Sequence, residues 1–154
     1  MTIYTDNPTG GRSVKIFKTE DRLCSSKEHW YHDSDGEAKF KQNLQRTPSD
    51  WKYRTETITY QNNSLGYRTK ELNKINWKKS IVVFGCSLVY GVGVSEKDTI
   101  SSQLSEITGH YVVNMGVSGS SGQFAVHNLA CLLEYYKPKA IAIGWPDASR
   151  VPLY

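Results

Sequence analysis

The sequence predicts an α/β protein of three layers, a parallel sheet with helices on both faces, and three observations predict it. Apolar runs at Ser80-Ile-Val-Val-Phe84, Tyr111-Val-Val-Asn114 and Ala140-Ile-Ala-Ile143 read as buried parallel strands. Segments of helical period fill both intervals between them. The resulting order of strand, helix, strand, helix, strand implies crossover connections rather than hairpins. With 154 residues, 38% hydrophobic and 22% charged, the chain has the size and composition of one compact domain.

Residues 1–59 read as an irregular, basic and aromatic extension, and residues 60–154 as the α/β unit. Residues 1–79 hold 15 Lys or Arg and 10 Asp or Glu, a net +5, whereas residues 80–154 hold 4 and 5, a net −1. Three of the four tryptophans, Trp30, Trp51 and Trp77, also lie in the first half. Turn-forming residues interrupt any long apolar period there, so only short elements are expected. One is a helix over Glu37 to Leu44, entered from the turn Asp33-Ser-Asp-Gly36 and stopped before Pro48. Another is a strand over Thr55 to Tyr60.

Composition also limits the partners. Residues 1–17 lack the apolar stretch of a signal peptide, and the chain is too polar for a lipid-spanning helix, so no membrane partner is expected. A formal charge of +4 without an RNP-like or zinc-finger pattern argues against nucleic acid. Aromatics in such an extension serve more simply as packing against a neighbouring layer. The odd set Cys24, Cys86 and Cys131 suits free thiols in a reducing compartment, the cytoplasm first and a virion second. Cys24, His29 and His32 lack the fourth partner and paired spacing of a zinc site, so neither metal nor cofactor is expected.

Past the first strand a loop leads to a helix over Thr99 to Thr108, with Asp98 or Thr99 as N-cap and Gly109 as the left-handed stop. A second helix follows the glycine loop Gly116-Val-Ser-Gly-Ser-Ser-Gly122 and runs from Gln123 to Tyr136, where Pro138 blocks continuation. That loop lacks the lysine of a P-loop and the spacing of a dinucleotide site, so a tight turn explains its glycines. Ligands in open parallel sheets bind beyond the carboxyl ends of the strands. Gly85-Cys-Ser-Leu88, Asn114-Met-Gly-Val-Ser-Gly119 and Gly144-Trp-Pro-Asp147 therefore converge, and Ser87 falls where a nucleophile would meet the backbone amides of a turn or helix start.

These segments, in this order, resemble the SGNH, or GDSL-type, hydrolase family over roughly residues 60–150. Gly85-Cys-Ser-Leu88 is similar to the family's Gly-Asp-Ser-Leu block, and Val89-Tyr-Gly-Val-Gly-Val94 to the stretch that follows it. Val113-Asn-Met-Gly-Val-Ser-Gly119 resembles the second block, and Asn63-Ser-Leu-Gly-Tyr-Arg68 a lead-in segment of some members. The resemblance implies an incomplete SGNH-hydrolase-like fold with a flavodoxin-like parallel sheet. It also implies Ser87 as nucleophile, the amides of Ser87 and Gly119 as oxyanion hole, and Asn114, Trp145 and Asp147 around the pocket. The substrates it implies are small acyl esters or acetylated glycans, with no cofactor.

Three departures accompany the resemblance. Cys86 replaces the usual Asp and is expected to be a small buried hydrophobe pointing away from Ser87. Pro146 replaces an Asn that would donate to the oxyanion, a loss of about 10²–10³ in turnover unless the Trp145 indole substitutes. Asp147 keeps an acidic position as a loop brace. The family's Asp-x-x-His pair has no counterpart before Tyr154, and none of His29, His32, His110 and His127 stands in an evident position to replace its base. Three strands alone would leave an open edge. Residues 1–79 wrapping over it, a second copy, a different partner chain, or the remainder of a longer product of which this is the leading piece would each cover it. The alternative to an esterase is therefore a non-catalytic binding or assembly module on the same fold.

Overall fold

The computed structural model describes residues 3–6, 14–17, 19–31, 36–147 and 149–150. His32, most of the turn expected at 33–36, and the closing 151–154 segment lie outside the described residues. The first half carries short elements throughout. Strands β1 (Ile3–Asp6) and β2 (Val14–Phe17) pair antiparallel, Ile3 opposite Phe17 and Asp6 opposite Val14. Strand β3 (Lys27–His29) precedes the surface helix α1 (Glu37–Leu44), which buries no residue but carries an i,i+4 pair of Glu37 and Lys41 at 2.5 Å.

The strand expected over 55–60 forms only at its end, as β4 (Thr59–Gln61), antiparallel to β3. Two facts shorten it. Residues Lys52–Arg54 coil into a 3₁₀ turn whose Lys52 carbonyl accepts from the Thr55 and Glu56 amides, and β3 offers only three residues to pair with.

The second half follows the expected order and adds one element. Strand β5 (Ser80–Gly85) leads into a single helical turn, α2 (Ser87–Tyr90), within the segment expected to be loop. Helix α3 (Ile100–Thr108) is capped by Thr99, whose hydroxyl accepts from the Ser102 amide, and stopped by Gly109 at φ +67°. Then come β6 (Tyr111–Gly116), α4 (Gly122–Tyr135) capped by Ser121, and β7 (Ala140–Gly144). The three strands are all parallel in the order β6-β5-β7, with the first strand of the unit in the centre. Among the described residues no helix is long and apolar enough to cross a membrane.

Alternation along β5 and β6 sorts the core into two faces. Val82, Phe84, Val113 and Met115 pack with Ala125 and Leu132 of α4, and Ile16, Leu65, Tyr67 and Trp77 of the first half join the same cluster. Val83 and Val112 pack with Val89 of α2 and Leu104 of α3 on the other face. Coverage on both faces therefore holds for β5 and β6. It fails at β7, where four of five residues are exposed and only Ile143 is half-buried. Ile16 of β2 packs in the cluster that α4 supplies, and among the described residues β7 pairs with β5 alone.

Candidate functional site

The three strands end on one row of glycines, Gly85 paired with Gly116 on one side and Gly144 on the other. Helix α2 lies down on that row. A Cβ at Gly116 would stand 2.3 Å from the Tyr90 nitrogen, and one at Gly85 would stand 2.5 Å from Val89 Cγ2. One at Gly144 would meet the same Val89 methyl at 3.0 Å. The absent side chains thus create the seat for the turn that carries Ser87.

One turn of helix does not hold itself, so its last carbonyls need outside donors. Arg68 supplies most of them: Nη1 donates to the Gly91 oxygen at 2.8 Å and the Tyr90 oxygen at 3.4 Å, and Nη2 to the Val94 oxygen at 3.2 Å. Its guanidinium lies over the Tyr60 ring, 4.7 Å from the centroid, and its side chain is 1% exposed. Glu96 ion-pairs with Nε at 2.8 Å from a side chain that is 63% exposed, so the countercharge sits in water. Asn114 works from below. Its Nδ2 donates to the Val89 oxygen at 2.8 Å, and its Oδ1 accepts from the Gly116 amide at 2.9 Å. Asn114 is therefore enclosed beneath α2 rather than lining an open pocket, because strand alternation aims it at the α2 face of the sheet.

Ser87 is the first residue of α2 and half-buried, with its carbonyl accepting from the amides of Gly91 at 3.0 Å and Val92 at 3.1 Å. Cys86 is the N-cap of that turn, makes no side-chain capping bond, and is buried as the small residue expected there. Burial pushes the Cys86 thiol up, but the Leu88 amide, the Ser87 hydroxyl and the Arg150 charge outweigh it and leave the thiol below its ordinary value.

The loop from Gly116 to Gly122 is tied to the end of β5 by Val117, whose amide donates to the Gly85 oxygen at 2.9 Å, and by the Ser120 hydroxyl on the same oxygen at 3.2 Å. Gly119 stands exposed in this loop at φ +77°. Trp145 is 67% exposed, and its ring covers the start of α4, where a Cβ on Gly122 would lie 2.9 Å from Cε3. Asp147 braces its own loop, accepting from the Ser149 amide at 2.9 Å and the Ser149 hydroxyl at 2.6 Å. Those bonds hold its carboxyl below the usual range.

Beside the Gly119 loop a cavity of about 410 Å³ opens, and the first half forms its far wall. Arg22, Glu28, His29, Trp30 and Tyr60 face Tyr90 and Gly116 to Gly119 across it. The wall is anchored by Tyr60, whose hydroxyl accepts from the Gly93 amide at 2.8 Å, and by Tyr53, which donates to the Gly93 oxygen at 2.9 Å. His29 is the histidine brought to this cavity, whereas His110 sits at the amino end of the sheet and His127 lies 3.5 Å from Cys131 on α4. Among the described residues no histidine bonds the Ser87 hydroxyl, and no cluster of three His, Cys, Asp or Glu could hold a metal.

Sequence reading marked Ser87, Gly119 and the lead-in segment ending at Arg68, but missed what Arg68 does. The glycine closing each of the three strands was the available signal for the seat of α2.

No family model matches the chain, and no curated protein matches it. Among solved structures it is similar to AlinE4, an SGNH-hydrolase family esterase, at 24% identity and a TM-score of 0.36, covering 46% of this chain and 42% of that one. Two mutants of the same esterase give 24% and 22% identity with TM-scores of 0.36 and 0.37. The chain spans less than half the length of these esterases, and the likeness is distant.

Proposed function

We propose that this chain is a serine ester hydrolase of the SGNH type acting on small acyl esters or acetylated glycans, with Ser87 as nucleophile. The observation that carries the reading is the position of Ser87, first in a turn seated on the ends of the central strands and clamped by Arg68 and Asn114. Ser87 Oγ adds to the acyl carbon, and the developing oxyanion accepts from the amides of Ser87 and Gly119. The proton passes to the thiolate form of the neighbouring Cys86, whose pKa lies below its ordinary value. Collapse expels the alkoxide, which takes that proton, and water then releases the acid by the same steps in reverse. The polar and aromatic cavity beside Gly119 supports a sugar-like leaving group better than a lipid chain.

The test is intact mass after incubation with a fluorophosphonate probe. A single adduct that vanishes in Ser87→Ala and forms at least about tenfold more slowly in Cys86→Ala is expected. An adduct that survives Ser87→Ala but not Cys86→Ala would move the nucleophile to the thiol, and no adduct on folded protein would end the hydrolase reading.

The exposed β7 favours a second reading, a binding or assembly module completed by a partner chain or a second copy. Sedimentation velocity at micromolar concentration decides its homo-oligomeric form, which a sharp monomer boundary would remove.

A further inference from the structure

At the opposite end of the sheet, where β5 and β6 begin, lies a groove of about 780 Å³ whose only charged side chains of fixed sign are lysines. Lys70, Lys74, Lys78, Lys79 and Lys139 converge on it with His110, and no acidic residue lines it. They come from separate places: Lys74 and the pair Lys78 and Lys79 from two 3₁₀ turns, His110 from just before β6, and Lys139 from just before β7. The Lys139 amide donates to the Ser80 oxygen at 2.8 Å, which fixes this corner to the start of β5.

We propose that this groove is a binding site for an anion carrying several phosphate groups. Among the described residues the ion pairs engage Arg22, Lys41 and Arg68, whereas none of the five groove lysines has a carboxylate partner. Five like charges gathered in one concavity repel one another, and a multivalent anion relieves that repulsion at every contact. Lysine binds phosphate as a point charge and needs no planar fork, which suits phosphate oxygens over a single carboxylate. Two of the cationic side chains are already oriented: Lys70 Nζ stands 4.5 Å from the centroid of the Tyr111 ring, and Lys139 Nζ lies 2.7 Å from His110 Nε2. Tyr111 is the aromatic residue of the groove, and Lys70 covers its ring, so no platform is left for stacking bases. Recognition is thus of phosphate charge alone and not of a nucleic-acid strand. The site is about 20 Å from Ser87 along β5 and independent of ester chemistry.

Calorimetric titration of the full chain with inorganic tripolyphosphate at about 50 mM salt tests this, where screening leaves such contacts measurable. Saturable binding at least about tenfold tighter than that of orthophosphate is expected, unchanged in Ser87→Ala. Lys78→Glu with Lys139→Glu should weaken it at least about tenfold, while Lys39→Glu with Lys97→Glu, an equal change in net charge on exposed lysines elsewhere, should stay within about twofold. Circular dichroism confirms that both double variants are folded. Equal losses in the two double variants would reduce the effect to diffuse charge, and an absence of saturable heat would leave only a solvated surface. Tighter binding of a twelve-nucleotide thymidine strand than of tripolyphosphate would overturn the phosphate-only recognition.

Discussion

Helix α2 and strand β7 meet on the same row of glycines, yet their surroundings differ. The α2 turn is held by donors from far along the chain, Arg68 from before it and Asn114 from after it. Strand β7 has one ladder, to β5, and most of its surface is in solvent. The α2 turn is fixed by buried polar partners, whereas β7 rests on its pairing with β5 and on the packing of Ile143 against the core.

The hardest way to break that contrast is Arg68→Ala. It strips donors from three carbonyls in a buried place and should cost about 3–5 kcal/mol in urea unfolding. Glu96→Gln removes the other half of the ion pair but should cost less than about 1 kcal/mol, because its carboxylate is mostly hydrated. Next is Gly116→Ala, whose Cβ would press on backbone and lift α2. A loss of about 3 kcal/mol by the same measurement is expected, together with loss of any probe adduct at Ser87.

The register partners Val82 and Ile141 sharpen the comparison within one ladder. Val82→Ala should cost about 2 kcal/mol, and Ile141→Ala, at a residue 42% exposed, less than about 1 kcal/mol. Equal costs would mean that β7 is buried in solution, by a second copy or by residues outside the described ones.

The smallest effect concerns the turn itself. Because the Cys86 thiol lies below its ordinary value, the thiolate forms at lower pH than in a free thiol. The pH midpoint of iodoacetamide labelling at Cys86, read by peptide mass, should fall below that of N-acetylcysteine and rise in Ser87→Ala. A midpoint equal to that of N-acetylcysteine would show that burial wins over the Leu88 and Ser87 contacts.

Much of the α/β unit was legible because its signals are local. Apolar runs placed β5, β6 and β7, and a Thr cap and a glycine stop bounded α3. At α2 the sequence left a turn and a helix start both open, since four residues carry no helical period. The strand expected over 55–60 shrank because its length depends on its partner, β3.

By itself, then, the sequence determined the strand order's raw material, the helix boundaries and the three converging segments, all set by period, capping and turn chemistry within a few residues. Tertiary structure alone decided that Arg68 and Asn114 clamp α2, that the first half walls the cavity at Gly119, and that five lysines share one groove. Each of these rests on contacts between residues brought together only by packing, and such contacts leave no periodic trace in the chain.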